Sequence, residues 1–132
     1  MAGETELRGK GKAIILVVDR DPHICELESH FLQQAGYSVA FARDGDGALE
    51  QALNIAPDII VTEILVPGLD GLALCRRLKA DPRTRATAVL VFSILAAADR
   101  AEEAGADAFL RKPLAEHTLV GTVRRLLEAR ST

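Results

Sequence analysis

The sequence predicts an α/β domain, a parallel sheet of five strands with helices on both faces. Three observations carry this. Short, uninterrupted apolar runs recur along the chain, as strands do when both sheet faces are covered. Between them lie segments whose apolar residues return at helical spacing, bounded by Asp, Gly or Pro. Four of the apolar runs end on a charged or hydroxyl residue.

Residues 13–18, AIILVV, form the first predicted strand and end at Asp19-Arg20. Asp21 is placed to cap a helix with Pro22 at its first position. Ile24, Leu27, Phe31 and Ala35 set that helix's period, and Gly36 stops it. Residues 37–42 are the second strand. A turn over 44–47, DGDG, then leads into a helix with Ala48, Leu49, Ala52, Leu53 and Ala56, ended by Pro57.

The third strand covers 58–62 and ends at Glu63. After the Pro67-Gly68 turn, Asp70 caps a helix whose Leu72, Leu74, Cys75 and Leu78 face inward, and Asp81-Pro82 marks the next loop. Residues 88–92 are strand four, ending at Ser93. A short Ala-rich helix over 96–104 stops at Gly105. Strand five is 108–111, ending at Lys112-Pro113, and a last helix aligns Leu119, Val120, Val123, Leu126 and Leu127. Strict alternation of strand and helix demands right-handed crossovers and a parallel sheet.

With 132 residues there is room for one domain with a real core and not for two. We divide the chain into a flexible lead-in, 1–12, and a domain, 13–130. The net charge is −3 and the isoelectric point about 5.6, which argues against a nucleic-acid or membrane surface. No apolar run approaches the roughly 20 residues that span a bilayer. Cys25 and Cys75 read as free buried thiols of a cytoplasmic protein. His23, His30 and His117 have no ligand spacing, and the pairs Arg76-Arg77 and Arg124-Arg125 read as solvated helix faces.

In a parallel sheet all strands end on the same edge, where open α/β sheets keep their functional crevice. Asp19-Arg20, Glu63, Ser93 and Lys112 are therefore expected to share one pocket.

Around these residues the chain resembles a response-regulator receiver domain, the CheY-like phosphoacceptor module of two-component phosphorelay signal transduction. The matching pieces are 15–19 (ILVVD), 56–58 (APD), 66–71 (VPGLDG), 105–109 (GADAF) and Lys112-Pro113. The resemblance covers about 13–130. It implies a doubly wound, flavodoxin-like (βα)5 fold with strand order 2-1-3-4-5. On that topology Cys25 and Cys75 fall on opposite sheet faces.

The resemblance also implies a chemistry. In the family two acids end strand one and an Asp ends strand three. They hold Mg²⁺, and the strand-three Asp accepts a phosphoryl group. A Ser or Thr after strand four and a Lys after strand five bind the phosphoryl oxygens, and an aromatic on strand five reports the switch. Position by position, Asp19 matches the first acid, Ser93 the hydroxyl, Phe109 the switch aromatic and Lys112 the lysine. Arg20 falls where the second acid belongs, and Glu63 on the phosphoacceptor.

Those two departures change the charge. Asp19 and Glu63 against Arg20 and Lys112 sum formally to zero without a metal. A fixed guanidinium would repel Mg²⁺, by about 4 kcal/mol per unit charge product at about 4 Å and an effective dielectric of about 20. We expect Arg20 to replace the ion and fork onto Glu63 or Asp19. The extra methylene of Glu63 carries its carboxylate toward the place of a phosphoryl group, within reach of Ser93 and Lys112. Phosphoryl transfer depends on positioning and charge neutralisation, and both are altered here.

The expectation is therefore an atypical receiver (a pseudo-receiver), not an enzyme, with Mg²⁺ weak or absent, acting as a protein-interaction module. Its partner would be a histidine kinase or a downstream output domain, with homodimerisation left open. Locked-on and non-switching versions are both open. One alternative is residual phosphoryl acceptance. Another is a haloacid-dehalogenase-type phosphatase, from the DxD of Asp19-Arg20-Asp21, which lacks the acidic pair after the lysine. From Ser93 to Gly105 the chain is also about one helical turn shorter than the family leads one to expect.

Overall fold

The computed structural model describes residues 12–131. The expected lead-in over 1–12 lies, apart from Lys12, outside the described residues. Five strands alternate with five helices: β1 Ile14–Val18, α1 Pro22–Gln34, β2 Ser38–Ala42, α2 Gly45–Ile55, β3 Ile59–Thr62, α3 Gly71–Ala80, β4 Ala88–Ser93, α4 Ala98–Glu103, β5 Ala108–Arg111 and α5 Glu116–Ser131. The sheet is parallel throughout, in the order β2-β1-β3-β4-β5. No helix among the described residues is long and apolar enough to cross a membrane.

The register positions the site. Val18 pairs with Thr62, Thr62 with Val91, and Ser93 with Arg111. Asp19, Glu63, Ser93 and Lys112 thus leave the sheet at one edge, within one or two residues of a common line. β1, β3 and β4 are buried along their whole length, which explains their unbroken apolar sequence.

Side chains alternate across the sheet, so the core divides into two clusters. Leu16, Val18, Ile60, Leu74, Cys75, Leu78, Val89 and Val91 belong to one face, beneath α2, α3 and α4. Ile15, Val17, Cys25, Leu32, Ile59, Leu90, Phe92, Leu119 and Val123 belong to the other, beneath α1 and α5. Cys25 and Cys75 are buried free thiols on opposite faces.

Caps set the helix starts. The Asp21 and Asp44 side chains accept from the amides of His23 and Gly47, and Asp70 accepts from both Leu72 and Ala73. The segment read as a turn over 44–47 is therefore cap plus first helical turn, because Asp44 and not Gly47 is the capping residue. α4 is shorter than expected, six residues with no side-chain cap at Ala97.

The loop after β3 is held tightly. Gly71 packs so closely against Glu63 that a Cβ there would overlap the Glu63 carbonyl oxygen. Gly68 has φ +70°, a left-handed conformation that glycine adopts without strain. Asp46 at the start of α2 accepts from the Leu69 amide at 3.3 Å and pins the same loop from outside.

One helix is rotated from its expected face. Leu27, taken from the sequence as part of the apolar period of α1, is 42% exposed. The buried residues are Cys25, Glu28, Ser29 and Leu32. A glutamate occupies a core-facing position, so apolar periodicity pointed to the neighbouring stripe.

Candidate functional site

Four strand ends meet at the edge. β3 delivers Glu63, whose amide donates to Val18 O at 2.9 Å and so continues the ladder one residue past the strand. The Lys112 amide does the same to Ser93 O at 2.8 Å. Glu63 is 4% exposed, Asp19 2% and Ser93 0%. Acidic groups this deeply buried need partners, and each has them.

The Glu63 carboxylate is fully engaged. Its Oε1 accepts from the Ser93 hydroxyl in a short contact. The same oxygen accepts from the amides of Ile64 at 2.7 Å and Leu65 at 3.3 Å. Its Oε2 accepts from the Ile94 amide at 3.2 Å and lies 3.1 Å from the Lys112 ammonium. Burial alone would push this carboxyl up, but the Ser93 hydroxyl, the Lys112 ammonium and the Leu65 amide hold it below the ordinary carboxylate value.

Lys112 bridges two carboxylates. Its Nζ lies 2.7 Å from Asp19 Oδ2 as well as 3.1 Å from Glu63 Oε2. Burial works against its charge, yet pairing with Asp19 and then Glu63 outweighs it and raises the ammonium above its usual range. The ammonium is also 5.6 Å from the centre of the Phe92 ring, which lies on the same face of the sheet as α1. The other Asp19 oxygen accepts from the Asp21 amide at 3.0 Å, and the Cys25 thiol donates to the Asp19 carbonyl at 3.3 Å.

The expected fork of Arg20 is not formed. Arg20 is exposed, and both carboxylates pair with Lys112 instead. Two reasons are visible. The Asx turn from Asp19 to Asp21 directs Arg20 outward, and the oxygens of Glu63 already hold five donors. The pocket contains two carboxylates and one ammonium, formally −1 and not 0.

The donor set also bears on Mg²⁺, which the resemblance implies. The ammonium of Lys112 lies between the two carboxylates, where a cation would have to approach both. A carboxylate already accepting five donors has no lone pair directed at an ion. Among the described residues no group of three or more His, Cys, Asp or Glu side chains could hold a metal. These residues do not fit a resident divalent cation.

Phe109 on β5 is partly buried, packs against the core beneath α4, and lines a surface groove with Ala97, Arg100 and Arg111. Leu65 and Ile94, whose amides hold Glu63, are 43% and 54% exposed and flank the pocket mouth.

Sequence reasoning missed Glu28. It is 1% exposed, its Oε1 has no hydrogen-bond partner, and burial followed by the Asp19 charge pushes its pKa up to about 8. The available signal was its spacing: Cys25, Glu28 and Leu32 lie at i, i+3 and i+7, one face of α1.

Comparison with known proteins gives a consistent picture. The family described as "Response regulator receiver domain" matches residues 15–124. The chain is 37% identical over 116 residues to the DNA-binding dual master transcriptional regulator RpaA of Synechocystis, a match over 86% of this chain and 48% of that protein. It is 38% identical over 116 residues to the response regulator PleD of Caulobacter vibrioides, over 86% of this chain and 25% of that protein. The chain thus spans half or less of these relatives. Among solved structures, the receiver domain of a signal transduction histidine kinase from Syntrophus aciditrophicus superposes with TM-score 0.84 at 36% identity, covering 89% of this chain and 91% of that one. Chemotaxis response regulator CheY4 of Vibrio cholerae gives 0.82 at 29% identity, covering 88% and 99%.

Proposed function

The chain belongs to the response-regulator receiver-domain family, and from that premise we propose that it is a pseudo-receiver held in its signalling form by its own side chain. The observation that carries this is the set of donors around Glu63. Its carboxylate collects a hydroxyl from Ser93, amides from Leu65 and Ile94, and the Lys112 ammonium. The hydroxyl and ammonium are the groups that bind phosphoryl oxygens in the family. A carboxylate one methylene longer than Asp satisfies them without phosphorylation.

On this reading the domain is not an enzyme and does not need Mg²⁺. Catalysis of phosphoryl transfer requires a positioned nucleophile and neutralised charge. Here the would-be nucleophile is saturated with hydrogen bonds, and Arg20 stands where a second metal ligand belongs. The domain's work is then docking, to a histidine kinase or to an output domain or protein. The groove beside Phe109, lined by α4, the loop before it and β5, is a surface on which such a partner would dock. The Synechocystis relative is named as a DNA-binding regulator, so a transcriptional output is one destination for this signal.

The test is intact mass after incubation with a small-molecule phosphodonor and Mg²⁺. The wild-type chain should gain no mass, while the double change Arg20→Asp, Glu63→Asp should gain one phosphoryl group. A phosphoryl gain on wild type, mapped to Glu63, would replace this reading with a working receiver that uses glutamate.

A further inference from the structure

Glu28 takes no part in the reading above, yet it is the most deeply buried acid of the described chain. It lies on the inner face of α1 between Cys25, whose thiol bonds the Asp19 carbonyl, and Leu32 in the core. Its Oε1 is buried without a hydrogen-bond partner. A carboxylate so placed is strongly disfavoured, whereas a carboxylic acid is tolerated.

The charges facing it come from the other elements. Asp19 at the end of β1 and Glu63 at the end of β3 oppose its ionisation, and Lys112 at the end of β5 favours it. Arg43 at the end of β2 acts on Cys25, one turn away. α5 meets this face of the sheet through buried Leu119, Thr122 and Val123, while its Glu116, His117 and Arg124 line an outer groove with Phe31. On α1 itself Glu26 and His30 are exposed. Lys112 is thus the one cation among the groups acting on Glu28, and it is already shared by two other carboxylates.

We propose that Glu28 is a buried proton-binding site coupled to the clamp on Glu63. With its proton on, Glu28 leaves the Lys112 ammonium to Asp19 and Glu63. With its proton off, Glu28 becomes a third carboxylate competing for that ammonium, and Glu63 loses part of its hold. Nothing but a proton moves on or off: the acid releases it to solvent as the pH rises and regains it as the pH falls. This deepens the reading of the site as a self-satisfied pocket, because it supplies the input that phosphorylation would otherwise provide. It makes Glu28 a positioning residue, acting through Lys112.

The experiment is an NMR pH titration of the whole chain, following the Glu28 carboxyl carbon and the amides of Leu65 and Ile94. The carboxyl should titrate near 8, and both amides should shift with that same midpoint. In Glu28→Gln, which keeps shape and removes the proton site, the amide step should disappear while the folded spectrum persists. Titration of Glu28 in the ordinary carboxylate range would overturn the proposal. So would amides that stay still while Glu28 titrates, or an amide step that survives in Glu28→Gln. The wild-type titration decides alone if that variant fails to fold. The readout is independent of phosphorylation, so its failure and a phosphoryl gain in the mass experiment are separate results.

Discussion

The Lys112 ammonium lies 2.7 Å from the Asp19 carboxylate and so joins the ends of β5 and β1 across the two strands that separate them in the sheet. The link spans most of the sheet's width. It also decides the electrostatics of the pocket, because the same ammonium reaches Glu63 at 3.1 Å. Removing it leaves two buried carboxylates facing each other. Lys112→Met should therefore lower unfolding free energy at neutral pH by about 3 kcal/mol, the usual loss when one partner of a buried pair is deleted. Urea denaturation reads it. Adding Glu63→Gln to Lys112→Met should recover part of the loss, since one unpaired charge is removed.

Glu63 and Glu28 are predicted to depend on pH with opposite sign. The folded chain holds the Glu63 carboxyl below its ordinary value of 4.5. The unfolded state then binds more protons in the acid range, so this contribution is present above 4.5 and is lost as pH falls through the folded value. Glu63→Gln should destabilise by about 2 kcal/mol at neutral pH, where charge-assisted hydrogen bonds are lost. The difference should shrink in acid. Equal destabilisation at both pH values would mean the carboxylate charge is not what the donors bind.

For Glu28 the folded value is about 8 against an ordinary 4.5. Between those limits the folded state holds the proton that the unfolded state has released, so stability falls as pH rises. Glu28→Gln removes that dependence. The variant should be more stable than wild type near pH 7 by on the order of 3 kcal/mol, with the gap closing below the ordinary carboxylate value. Thermal or urea unfolding at the two ends of this window measures it.

What was legible in the sequence, and what was not, follows from these same residues. Strand runs, caps and the shared edge depend on local pattern, so Asp19, Glu63, Ser93 and Lys112 were found together and the sheet emerged in the order that the resemblance implied. The Arg20 fork failed because charge arithmetic along a sequence has no direction in it. The Asx turn at Asp21 sends Arg20 outward, and that turn is a backbone property. The amides of Ile64, Leu65 and Ile94 were invisible for a related reason: every residue but proline has one, and only the loop's path aims it. Glu28 escaped because a charged residue inside an amphipathic helix is ordinarily assigned to solvent, and apolar Leu27 beside it offered a plausible inner face.

Arg20 gives the sharpest contrast with the sequence expectation. Were it the pocket's second cation, its loss would resemble that of Lys112. Being exposed and unpaired with Asp19 or Glu63, Arg20→Ala should change stability by no more than about 0.5 kcal/mol, as surface substitutions do. Urea denaturation of Arg20→Ala beside Lys112→Met makes the comparison directly. A loss near that of Lys112→Met would place the guanidinium in the pocket in solution. A small effect leaves Lys112 as the cation that holds the strand ends together, and it makes Arg20 a residue whose position matters for what it withholds, a second carboxylate, and not for a bond it makes.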